Sequence, residues 1–104
     1  MTVIINTQEE LEALIDKNNN IIIDGDLTIN CSISIEANIN ACNIDAINIY
    51  ANNIDANNID VHNISYDAFC IAHQSLKCKT IKGRRENALH ACLDQPIEYI
   101  KQWQ

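Results

Sequence analysis

The 104-residue chain is short of the residues that usually punctuate a fold: it holds two Gly, one Pro, one Phe, one Met and one Trp. It has no glycine-rich phosphate loop and no dinucleotide fingerprint. Basic residues are also scarce, seven Lys and Arg against fourteen Asp and Glu. The resulting net charge of −7 argues against direct binding to nucleic acid or to an anionic membrane surface. No apolar run approaches the roughly 18 residues of a transmembrane helix, and residues 1–10 lack the basic start and apolar stretch of a signal peptide. The cysteines (Cys31, Cys42, Cys70, Cys78, Cys92) are odd in number and share no tight spacing. That pattern predicts reduced thiols in a cytosol rather than a disulfide scaffold. These absences leave a small, acidic, cytoplasmic, single-domain protein as the expectation.

Two residue types are abundant instead: 20 Ile and 15 Asn, a third of the chain. Such a bias calls for a search for repeats. Large residues recur at every fifth position as Ile39, Ile44, Ile49, Ile54, Ile59, Ile64 and Phe69. The first six are each preceded by Asn (Asn38, Asn43, Asn48, Asn53, Asn58, Asn63). Two positions after each large residue come Ala41, Ala46, Ala51, Ala56, Val61, Tyr66 and Ile71. The unit is Asn-Ile-x-Ala-x.

A period of five fits neither an α-helix nor a coiled coil. Residues two apart in an extended chain share a face, so each unit can form a short strand and turn a corner. Four such sides would close a coil of about 20 residues, stacked at roughly 4.8 Å per turn. This predicts Ile39 under Ile59, Ile44 under Ile64, Ile49 under Phe69 and Asn43 under Asn63. Asn suits a corner because it tolerates unusual backbone angles and its amides can bond up a stack.

The ends read differently. Val3–Ile5 predicts a strand, and Thr7-Gln-Glu-Glu10 is a capping box opening a helix over about 7–16. Short strands follow at 21–23, 27–29 and 33–35, with Asp24-Gly-Asp26 as a turn. The expected organisation is one domain: an N-terminal cap (1–26), coils (27–81) and a C-terminal cap (82–104). Gly83 is expected to turn between two strands, with Ile97–Trp103 as a final strand or helix.

The Asn-Ile repeat resembles the pentapeptide-repeat proteins of bacteria and phages, strongly over 37–71. Their unit carries an Asp/Asn-Leu pair, although its small residue lies two before the large one rather than two after. The C-terminal Lys82-Gly-Arg-Arg-Glu-Asn87 and Cys92-Leu-Asp94 segments are similar to endings of small bacterial and phage solenoids of this type. The resemblance implies an all-β solenoid: a right-handed parallel quadrilateral β-helix of about three coils, with a short N-terminal capping helix and a C-terminal cap.

Signals for enzymatic chemistry are thin. Cys70-x-x-His73 and His90-x-Cys92 lack paired metal-site spacing and bring no nucleophile elbow or oxyanion motif. The expectation is therefore no enzyme, no cofactor and no metal. The cluster Lys77, Lys79, Lys82, Arg84 and Arg85 reads as a solvated basic cap or a partner contact. The acids carry the functional expectation: Asp24, Asp26, Glu36, Asp45, Asp55, Asp60 and Asp67 lie on a stiff rod almost without neutralising bases. Rows of carboxylates on a rigid β-rod can imitate DNA phosphates toward a basic channel. The resemblance supports this, because pentapeptide-repeat proteins are thought to imitate DNA toward gyrase. The expected role is a phage or mobile-element anti-CRISPR protein in a host bacterial cytosol. It would act as a monomer or weak dimer, blocking the DNA-binding channel of a CRISPR effector complex. The alternatives are a gyrase or topoisomerase modulator and a structural or adaptor module.

Overall fold

The computed structural model describes residues 2–100. In chain order its elements are β1 (Thr2–Ile5), α1 (Gln8–Glu12), β2 (Asn20–Ile22), β3 (Asp26–Ile29), β4 (Ile33–Ser34), a continuous strand run β5 (Asn38–Cys78), β6 (Thr80–Gly83), β7 (Leu89–Cys92) and β8 (Glu98–Tyr99). The strands pair in parallel within one sheet that wraps upon itself. This is a β-solenoid with one short helix near its N-terminus, as the five-residue period predicts.

The number of sides differs from the expectation. In the regular middle, Asn53 Nδ2 donates to Asn38 Oδ1, Asn58 to Asn43 and Asn63 to Asn48, each across 15 residues. The backbone follows the same register, Asn52 N–H donating to the Ala37 carbonyl. A coil is thus three units long and triangular, and Ile54, not Ile59, stacks on Ile39. Ile59 stacks on Ile44 and Ile64 on Ile49; Asn43 lies under Asn58 rather than Asn63. The period fixes the length of a side, whereas interior volume fixes how many sides close. One large and one small inward residue per side, buried throughout the regular middle, fill the triangular lumen. Shorter coils also mean more of them, about four turns rather than three.

Three faces result. Face 1 stacks Ile21, Ile39, Ile54 and Cys70 inward, with His90 beyond. Face 2 stacks Val3, Leu27, Ile44, Ile59 and Leu76. Face 3 stacks Ile33, Ile49, Ile64 and Ile81. The small residues two positions on (Ala41, Ala46, Ala51, Ala56, Val61) are buried beside them.

The five-residue period holds only in the middle. After Ile64 the inward pairs become Cys70/Ala72 and Leu76/Cys78, because the sides lengthen to six residues. Phe69 and Ile71, expected inside, are displaced by one position. Phe69 stands at a corner, 36% exposed, and Cys70 takes the interior place. The slip follows from Asp67–Ala68, which together occupy a corner that one residue turns elsewhere.

Each corner carries a directional hydrogen-bond ladder. On the first, Asn53 donates to Asn38 and Asn38 to Asn20. On the second, Asn58 donates to Asn43 and Asn43 to the Asp26 carboxylate; on the third, Asn63 donates to Asn48 and Asn48 to Ser32 Oγ. The upper ends receive the Phe69 N–H, the Ser75 hydroxyl and the Thr80 hydroxyl. Among the described residues the one non-glycine with positive φ is Asn19, at 66°, outside the repeat. The repeat Asn are therefore selected for amide bonding, not for left-handed backbone.

The cap helix is shorter than the expected 7–16. Its capping box forms between Thr7 and Glu10, and Leu11 fills the lumen, fully buried. α1 occupies the place of a strand beneath β4. The Gln8 side-chain amide donates to the Ser34 carbonyl at 2.6 Å and accepts the Ser34 N–H at 3.0 Å, as a neighbouring strand would. The turn before β3 uses Gly25 at φ 150°. Gly83 does not turn the chain; it ends β6 over Tyr66, where an added Cβ would collide with Ala88 and press on the Tyr66 ring. The expected final element is a two-residue strand, β8, and the 101–103 part of that expectation lies outside the described residues.

Ile54→Ala is expected to lower unfolding free energy by about 2–5 kcal/mol, and Asp60→Asn by less than about 0.5 kcal/mol. Asn58→Ala, which breaks the ladder on both sides, should fall between them at about 1–3 kcal/mol. Urea denaturation measures all three.

Candidate acidic site

The outward residue of each strand carries no packing duty, and these positions decide the surface. On face 2 the outward column reads Ile4, Thr28, Asp45, Asp60, Lys77 and Glu98. Asp45 and Asp60 lie in successive coils, about one strand spacing (~4.8 Å) apart. Both are exposed. Asp26 stands at the adjoining corner, its Oδ1 accepting from Asn43 Nδ2 at 2.6 Å. The three carboxylates border one shallow depression with Asn43, Asn58 and Lys77. A 20-residue coil would have stacked Asp60 on Asn40 and Asp45 beneath Ser65; the 15-residue coil stacks Asp60 on Asp45.

The other expected acids lie elsewhere. Asp55 is on face 1, where its Oδ1 meets His73 Nε2 at 2.9 Å, and Asp24 borders a second depression together with Asp55 and His73. Asp67, after face 3, is bonded by Arg85 Nε at 2.8 Å. Glu36 is an exposed residue beyond β4 whose carbonyl accepts from Asn19 Nδ2. The seven acids therefore encircle the rod instead of forming one stripe, and face 2 with its corner gathers Asp26, Asp45 and Asp60. Sequence spacing alone misassigned these neighbours because it was read with four sides.

The cysteine and histidine signals do not converge. Cys70 points into the lumen while His73 points outward to Asp55. Among the described residues no group of three His, Cys, Asp or Glu is placed to hold a metal ion. Burial pushes the Cys70 thiol up to about 12, with Cys78 and Asp55 adding to the shift, and burial raises Cys78 to about 11. Both are the opposite of an activated nucleophile. A feature that sequence reading missed is the pair Tyr66–His90: the Tyr66 hydroxyl lies 2.5 Å from His90 Nδ1, with the rings edge-to-face at 5.7 Å. Desolvation raises the Tyr66 pKa. Its one signal in the sequence is a Tyr in a column of Ala and Val.

The basic cluster divides between faces. Lys77 stands between Asp60 and Glu98 in the outward column of face 2, and Lys82 lies outward on face 3. The Arg84 guanidinium sits 5.0 Å over the Tyr50 ring, with Nη1 donating to the Tyr50 hydroxyl. No helix among the described residues is long and apolar enough to cross a membrane.

Under native conditions at pH 8, an alkylating reagent is expected to modify Cys31, Cys42 and Cys92 well before Cys70 and Cys78. Mass spectrometry after proteolysis reads the order, and early labelling of Cys70 would contradict its buried, protonated state.

Comparison with known proteins gives no matching family model, no similar curated protein and no similar solved structure.

Proposed function

We propose that this protein is a non-enzymatic acidic binding module that occupies a basic, nucleic-acid-binding surface of another protein by imitating DNA. The observation that carries this reading is the stretch from 18 to 76, which contains no Lys or Arg and wraps the middle of the rod. Of the acids in that stretch Asp67 is paired with an arginine, Arg85, and Lys77 lies one level beyond Asp60, while Asp26 and Asp45 lie on coils without a lysine or arginine. On face 2, Asp26, Asp45 and Asp60 gather along two coils of a stiff ladder. Carboxylates there repeat at about 4.8 Å, comparable with the rise of about 3.4 Å between charges along one DNA strand. A rigid acidic surface attracts a basic channel at long range and loses little conformational entropy on docking. The proposed targets are CRISPR effector complexes in a bacterial cytosol, with gyrase or a topoisomerase as the second target class.

Immobilised protein is expected to retain such a complex at about 50 mM salt, release it at about 300 mM and yield it to duplex DNA. The double reversal Asp45→Lys, Asp60→Lys should weaken retention at least tenfold while the melting curve stays in place. Retention that persists at high salt and ignores DNA would rule the proposal out.

A further inference from the structure

We infer that the outer edge of β1, at the N-terminal end of face 2, takes an added strand from a partner protein: an extended segment with alternate apolar residues, flanked by Lys or Arg. The contact is made through backbone pairing at the end of the rod. It goes beyond the reading of face 2 as a DNA mimic and does not depend on it.

β1 is the terminal strand of the sheet and pairs only with β3. The Ile5 carbonyl accepts the Asn30 N–H at 2.8 Å, so Ile5 turns its backbone groups toward β3. Successive residues of a parallel strand alternate in this respect. Val3 therefore also faces β3, while Thr2 and Ile4 direct their N–H and carbonyl groups away from it. No described strand pairs with that side. The other two faces are finished differently. On face 3 the Gln8 amide donates to the Ser34 carbonyl and accepts the Ser34 N–H. On face 1 the Asp16 N–H donates to the Asn20 carbonyl at 2.9 Å, and Asp16 Oδ1 accepts the Asn20 N–H at 3.0 Å. Ile4 has no such counterpart among the described residues. Nor does β1, Thr-Val-Ile-Ile, carry the charge or proline that blunts an exposed edge. Ile4 is 57% exposed and Val3 half-buried, so an added strand would pack one residue beside each.

The C-terminal residues cannot supply that strand. The Ile100 N–H bonds the Cys78 carbonyl at the opposite end of the rod. From Ile4 to Glu98 the outward column of face 2 rises by five strand spacings, about 24 Å. The four residues after Ile100 span at most about 14 Å.

Charge selects the occupant. Residues 2–36 hold seven acids, all exposed, and one base, Lys17. Asp26 lies one level above Thr2, and the Glu10 carboxylate accepts the Asn6 N–H, so acids stand at both ends of β1. A second copy offering its own β1 would bring two acidic ends together. A strand flanked by Lys or Arg meets opposite charge at both ends, while backbone pairing gives affinity and alternate side chains give specificity.

Selection of a displayed library of random peptides, about 12 residues long, on the immobilised 104-residue chain tests this. Enriched peptides are expected to alternate β-branched or aromatic residues with others and to carry Lys or Arg on both flanks. Hydrogen exchange should find the Ile4 amide fast in the free protein and protected at least tenfold by such a peptide. Two variants locate the contact. Ile4→Pro removes the outward N–H and leaves the β3-facing groups of Val3 and Ile5 in place; Ile4→Lys blunts the edge with a charge that repels a basic strand. Both should melt as the parent does and bind the peptide at least tenfold more weakly, whereas Asp45→Lys, Asp60→Lys should lose less than threefold. No enrichment, enriched peptides without basic flanks, or binding that survives both Ile4 substitutions overturns the inference. So does Ile4 protection in the free protein that grows with its concentration, which would give the edge to another copy of this chain.

Discussion

The structure depends on a side-chain amide that both donates and accepts. An Asn at each corner bonds to the Asn 15 residues earlier and receives a bond from the one 15 residues later. Only a residue with both roles can extend such a ladder without changing type. The ladder forces coils of equal length, and equal coils place Ile on Ile and Ala on Ala. Hydrogen bonding at the corners and packing in the lumen thus enforce one register, which is how a parallel sheet avoids slippage. The ladders stop where the register changes. Below, acceptors close two of them (Asp26 and Ser32); above, the closures are donors (Ser75, Thr80 and the Phe69 N–H).

This also explains how tight corners are built with two glycines in the chain. The repeat Asn remain in ordinary negative-φ backbone. Glycine appears where geometry demands it: at positive φ in the turn before β3, and under the close approach of Ala88 and Tyr66 at the end of β6. Because corners and lumen hold the fold, the outward positions are free to differ, as Asn40, Asp45, Tyr50, Asp55, Asp60 and Ser65 do. Acidic outward residues at neighbouring levels repel modestly in water, a cost that a well-filled core can carry.

The two ends set the limits of the module. The N-terminal end borrows a helix and a glutamine amide to finish a sheet edge, whereas β6, β7 and β8 are the last described strands of their faces, with Ile81, Cys92 and Ile97 half-buried there. The Tyr66–His90 pair belongs to this upper region, where the repeat's small residue has become a large aromatic one. Its hydroxyl crosses the lumen to the imidazole, so a polar group stays satisfied as the regular stacking gives way. The basic residues are concentrated at this same end, giving the rod a charge polarity along its axis.

Much of this was legible in the residues. The Asn-Ile-x-Ala-x unit determined short parallel strands, an inward Ile and Ala, an Asn at each corner and acids pointing out, because alternation in an extended chain is a local property. Thr7 and Glu10 likewise determined the helix start. The sequence did not determine that three units, rather than four, make a coil, since closure depends on how side chains from distant units fill a shared lumen. The extra residue before Cys70, which sends Phe69 outward, and the meeting of Asp26, Asp45 and Asp60 on one face follow from that closure. Local spacing sets which way a side chain points; only the stacked coils decide which residue lies above it.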